Sequence, residues 1–328
     1  MRNRSRPGTG GDAKGMVMSG VRLARRRRYT GVVRPSGPFL PLLLWSLASH
    51  CQTAPASLRG AQPADAQALV ERALANELLA AQDTSHPMRY KLRKTSPRLT
   101  TVKLICETAD GAVARLISVD GQPLSTMDEN KEQVRLDGLL NDPGRQRHRK
   151  QSEQDDANRA MKVLRALPKA FLYTPANGDA GAASAGIARY DFKPNPKFDP
   201  ADLETEALSA MSGELWIDTA KERVIHLSGH LDDDVDFGWG ILGRLAKGGT
   251  ILLEQADVGD GQWRLTHFQM AIHGRVLFKA KVFDTEEVES EFAPVPADTT
   301  YQKAIGMLRA KEPAAPTSAT TTETKPCP

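Results

Sequence analysis

The chain has 328 residues, and its 40% apolar content is too high for a wholly disordered polypeptide, yet no run approaches the ~18 to 20 apolar residues of a membrane-spanning helix. Its formal net charge of +4 is unevenly placed: residues 1 to 50 hold nine Arg and one Lys against one Asp, so +9 sits there and the rest of the chain carries −5. With no clustering of aromatic among basic residues either, a nucleic-acid partner loses its electrostatic support.

In chain order, the basic block Arg25 to Arg28 precedes Phe39, Leu40, Leu42, Leu43, Leu44, Trp45 and Leu47, and small residues follow. This is the order of a secretory signal peptide, so residues 1–56 are expected to be a basic leader, cut before Ser57 after Ala54-Pro55-Ala56. The competing possibility is lipidation at Cys51, although His50 stands where a small residue is wanted. Either route places the protein outside the cytoplasm, in the periplasm or at the outer membrane, with no transmembrane span in the mature chain. Cys51, Cys106 and Cys327 lie far apart and form no CxxC pair, so neither a disulfide framework nor a cysteine zinc site is indicated.

Residues 64–309 have the composition of a single globular domain, and residues 310–328, rich in Pro, Ala, Ser and Thr, read as a disordered tail. Leu69, Val70, Ala73, Leu74, Glu77 and Leu78 share one face of a helix over 66–82. Three strands follow, Met88 to Thr95, Thr100 to Thr108 and Val113 to Val119, paired as antiparallel neighbours. Ser125 with Asp128 opens a charged helical region, 125–167, which Pro143-Gly144 divides. Between Arg145 and Asn158 almost nothing is apolar, so that stretch is expected to be a solvated face or a mobile arm.

After a Gly/Ala-rich loop at 177–186, five strands are expected: Gly213 to Thr219, Val224 to Val235, Thr250 to Val258, Gln262 to His273 and Arg275 to Glu291, the last two separated by a turn at Gly274. Phe268, Met270 and Ile272 share a face, as do Val276, Phe278, Ala280 and Val282. Short connections favour an antiparallel meander. The fold class is therefore α+β and β-rich.

Gly238, Gly240 and Gly243 spell GxGxxG, but Gly248-Gly249 leaves no room for the helix that a dinucleotide site needs. His226 and His230 share a strand face near Asp232 and Asp234; four residues along a strand is too far for easy joint metal coordination, and the triplet Asp232 to Asp234 lacks the spacing of a calcium loop. No GxSxG elbow occurs, and Cys106 lies in an apolar strand. No catalytic residue, cofactor or metal is expected.

The segment Gly213-Glu-Leu-Trp-Ile-Asp218, a long strand after it, the 237–249 connection, and Leu277-Phe-Lys-Ala-Lys-Val-Phe283 leading to Glu291-Phe292 resemble the bacterial outer-membrane lipoprotein-sorting (LolA/LolB-like) family over residues 86 to 292, most closely after 207. That resemblance implies a curved antiparallel sheet, an unclosed barrel, with helices packed on its concave side around an apolar cavity for acyl chains. The expected function is non-catalytic binding of an apolar ligand such as a lipid or lipoprotein acyl chain. Candidate lining residues are Trp216, Phe237, Trp239, Ile241, Leu242, Phe268, Met270 and Phe278. A structural or interaction protein of the envelope, with a filled core and a protein partner, is the alternative; a hydrolase or metal-dependent enzyme using His226 and His230 is third.

Overall fold

The computed structural model describes residues 63–176, 186–237, 242–277 and 279–310; the leader, Cys51 and the tail lie outside them. Helix α1 (Pro63–Gln82) is followed by strands β1 (Met88–Ser96), β2 (Leu99–Cys106), β3 (Val113–Val119) and the two-residue β4 (Gln122–Pro123). Two helices come next, α2 (Thr126–Leu140) and α3 (Pro143–Ala170). Then come β5 (Phe171–Pro175), β6 (Ile187–Pro194), the single turn α4 (Leu203–Glu206), β7 (Met211–Asp218), β8 (Arg223–Leu231), β9 (Val235–Phe237) and β10 (Gly243–Leu245). The chain closes with β11 (Thr250–Asp257), β12 (Trp263–Val276), β13 (Lys279–Pro294) and α5 (Tyr301–Arg309).

All the strands join one antiparallel sheet in the order β4-β3-β2-β1-β13-β12-β11-β8-β7-β6-β5, with β9 and β10 extending beside β12, and its two edges do not meet. The expected class, α+β with an open antiparallel sheet, is what the chain adopts. No helix among the described residues is long and apolar enough to cross a membrane.

Cross-strand pairs carry the identity of each face from strand to strand, since directly opposed residues point the same way. Leu215, Leu227, Leu253, Phe268, Glu287, Lys94 and Thr101 are opposed in succession and define one face. Trp216, His226, Glu254, His267, Val288, Arg93 and Val102 define the other.

A core forms on each face. On the Leu215 face, Ala66, Val70, Ala73 and Leu74 of α1 and Leu167 of α3 pack on Tyr173, Tyr190, Phe192, Leu215 and Ile217. Each fully buried large side chain there contributes ~1.5–3 kcal/mol. Glu77 belongs to the same face of α1 but is an ion-pair partner, receiving the Arg223 Nε and Nη2 donors at 2.8 and 2.9 Å and the Val224 N–H at 2.9 Å. On the Trp216 face, Leu136 and Leu139 of α2 and Tyr301, Ala304, Ile305 and Leu308 of α5 cover Cys106 and Val113, with Leu104 packed against them. The helices are thus shared between the two faces rather than gathered on one, because α5 brings an apolar stripe of its own that needs a second platform.

The charged helical region is two helices, with Ser125 capping α2 by accepting the Asp128 N–H and Asp142 capping α3 by accepting the Arg145 N–H. The stretch expected to be solvated or mobile is a continuous part of α3. Its first turns dock on the β2–β3 turn through polar side chains: Gln146 donates to the Asp110 and Gly111 carbonyls, Lys150 to the Ala109 carbonyl, and Glu153 receives the Ala112 N–H. Residues 154–160 are exposed on every side, the pattern of a helix that crosses solvent. The helix then runs directly into β5, so it joins the β2–β3 side of the sheet to the opposite edge strand.

One turn differs from expectation. β12 continues through Gly274 to Val276, and the chain reverses at Leu277, whose φ is 54°. Gly274 is small for another reason: a Cβ there would lie 2.4 Å from the Arg244 carbonyl oxygen of β10. In consequence Val276 opposes Lys279, whereas Ala280 and Val282 oppose Arg275 and His273, so Val276 does not share their face.

Candidate functional site

Beyond the first core, the Leu215 face continues as an apolar band across β8, β11 and β12. Leu227 and Ile251 pack at the edge of the core. Leu253, Phe268 and Met270 come next, half-buried and members of neither core. Register explains why they coincide: Phe268 opposes Leu253 and Met270 opposes Ile251. The band ends at β13, where Thr285 opposes Met270 and Glu287 opposes Phe268.

The Trp216 face of the same strands is polar. The Arg189 guanidinium lies 4.3 Å from the Trp216 ring centroid, and His226 stacks on that ring at 4.4 Å, so arginine, indole and imidazole form one column. Glu254 then sits between two imidazoles, 3.2 Å from His226 Nδ1 and 3.2 Å from His267 Nδ1, while His267 Nε2 lies 3.3 Å from Glu286. His230 pairs with Asp232 instead, at 3.1 Å. His226 and His230 therefore engage different carboxylates, and among the described residues no group of three His, Cys, Asp or Glu is placed to hold a metal ion.

Of the eight residues expected to line an apolar pocket, the structure brings Phe268 and Met270 together in the band. Phe237 is half-buried against the first core, and Leu242 is exposed beside the β12–β13 turn. Trp216 stands on the opposite face, paired with His226. Trp239, Ile241 and Phe278 lie outside the described residues. Leu253 and Ile251 were absent from the expected set, although Ile251 and Leu253 alternate along β11 in the same way as Phe268 and Met270 along β12.

The Glu289 carboxyl and the Cys106 thiol are among the groups whose proton affinity burial raises. Burial, and then the neighbouring Glu107 and Glu287 carboxylates, push the Glu289 carboxyl up to about 8. Burial pushes the Cys106 thiol up to about 11, which leaves it protonated and unreactive at neutral pH. The chain matches no family model, and neither a curated protein nor a solved structure is significantly similar to it.

Proposed function

We propose that this protein is a non-catalytic binding protein of the bacterial envelope that holds an apolar ligand, such as a lipid or the acyl chain of a lipoprotein. The observation that carries this reading is the band of Leu253, Phe268 and Met270, large apolar groups in register on a sheet face, half-buried but part of neither core. Covering them with an acyl chain removes apolar surface from water at ~25 cal/mol per Å². The signal-peptide pattern of residues 1–56 supports export, and hence an envelope location.

Native mass spectrometry of the purified mature domain, with lipid extraction, tests the proposal. The wild-type protein is expected to carry or take up lipid, and Phe268→Asp or Met270→Asp to lose it while staying folded. A wild-type protein that neither co-purifies with lipid nor binds added lipid would end this reading.

A further inference from the structure

At the free side of β3, bordered by side chains of α2 and α3, lies a cavity of about 320 Å³ lined by Lys103, Ala114, Leu116, Glu132, Arg135 and Arg149. Lys103 opposes Leu116, and Ala114 opposes Ile105, so the strand residues all reach it from the Leu215 face. Helix α2 contributes Glu132 and Arg135, and α3 contributes Arg149. Three of the six side chains are cations and one is an anion.

That anion is already engaged. Glu132 Oε1 receives the Leu116 N–H at 2.9 Å and Arg135 Nη2 at 2.7 Å, and its Oε2 receives Arg135 Nε at 2.7 Å. Desolvation pushes the Glu132 carboxyl up, but the Arg135 and Leu116 hydrogen bonds outweigh it and hold the group below the usual glutamate value. Arg135 also donates to the Ala114 carbonyl at 2.5 Å. These bonds cap the exposed edge of β3, and they use up the only negative charge of the lining.

The other two cations are unspent. Among the described residues Arg149 reaches only the Ala112 carbonyl, at 3.5 Å, and its Nε is buried with no hydrogen-bond partner there. Lys103 has no hydrogen bond or ion pair among the described residues, although it is half-buried. Buried donors without partners are costly and call for an explanation. A water molecule could occupy Nε but would leave the lining at a net +2.

We propose that this cavity binds a small oxyanion, a phosphate monoester group, held by Lys103 and Arg149 with Arg135 at its side. A phosphate dianion matches the uncompensated charge, and its oxygens suit both a planar guanidinium and a point-like ammonium. The volume exceeds that of the anion alone, and Ala114 and Leu116 give the rest of the molecule an apolar wall. The same chemistry is presented by a free phosphorylated metabolite and by a phospholipid headgroup.

Isothermal titration of the full chain with inorganic phosphate, glycerol phosphate and dihexanoyl phosphatidate tests the proposal. Binding of glycerol phosphate is expected, weakened about tenfold or more by Arg149→Gln or by Lys103→Met, with partial rescue by Arg149→Lys. Tighter binding of the phosphatidate would support the site with a headgroup as its source; equal binding would support it with a soluble phosphate. Should Arg149→Gln unfold, Lys103→Met carries the test alone, since Lys103 holds no other group. Overturning results would be no binding of any of the three compounds at millimolar concentration, or unchanged affinities in the folded Lys103→Met variant.

Discussion

Truncating Glu77 to alanine tests how α1 is held to the sheet. Its carboxylate is 10% exposed and its partner, the Arg223 side chain, 14% exposed, so neither charge is relieved by water. Glu77→Ala leaves the guanidinium without its two short hydrogen bonds and the buried Val224 N–H without an acceptor. Loss of one member of a buried pair costs about 3–5 kcal/mol, because the remaining charge is uncompensated. At ~2–4 °C per kcal/mol for a domain of this size, the melting temperature should fall by roughly 6–20 °C. The Glu77→Leu/Arg223→Met double variant removes both charges and should recover much of the loss, since apolar replacement of a buried pair is often close to neutral. Urea and thermal unfolding of the three proteins measure this. A Glu77→Ala loss below about 1 kcal/mol, or a double variant no better than the single, would refute the reasoning.

Glu289 predicts a pH dependence of opposite sign to ordinary acid denaturation. Its folded value is raised from 4.5 to about 8, so its contribution is fully present below about 4.5 and is lost as pH rises through 8. At 1.36 kcal/mol per pH unit the ceiling is about 5 kcal/mol, and partial solvent access reduces it to about 1–2 kcal/mol. Glu289→Gln should therefore stabilise the protein at pH 9 but not at pH 5, and parallel stability curves for the two proteins would contradict the assignment. Gly213→Ala should destabilise by about 3 kcal/mol in a denaturant melt, because the new methyl would fall 1.9 Å from the Ser228 carbonyl oxygen. Thr300 accepts the Lys303 N–H at the start of α5, so Thr300→Ala should cost about 1 kcal/mol, measured in the same way. Cys106 should stay unmodified by a thiol reagent at pH 8 until denaturant is added; prompt labelling of the native protein would count against its burial.

Much of the scaffold was readable because its signals are local. The 3.6-residue spacing of Val70, Ala73 and Leu74 marked α1, the Ser125–Asp128 cap marked α2, and short β-rich runs parted by Pro97 and closed by Asp120-Gly121 marked β1 to β3. β5 and β6 are not marked by such local signals, and for β5 the reason is tertiary. The short run Phe171 to Pro175 leaves α3 with no turn residue between them, and it is Asn195, donating its backbone and side-chain N–H to the Ala170 and Lys169 carbonyls, that holds the junction. The apolar stripe of α5, Tyr301, Ala304, Ile305 and Leu308, has clear helical spacing but adjoins a tail without large apolar residues, which hid it. Alternation also bore directly on the apolar site: Trp216 lies between Leu215 and Ile217, so its indole had to point away from them. No local pattern could have paired Lys103 with Arg149, because a helix from elsewhere in the chain meets a strand there only after folding.

Helix α3 also works as a ruler. It fastens to the β2–β3 turn at one end and becomes β5 at the other, so the span between those two attachments is a count of residues, each worth ~1.5 Å. Its middle turns, 154–160, are exposed. Seven residues make nearly two full turns, so adding or removing seven there would keep both ends facing as they do while moving them apart or together by about 10 Å. The distance between the two attachments is thus written in a stretch of sequence that is exposed throughout.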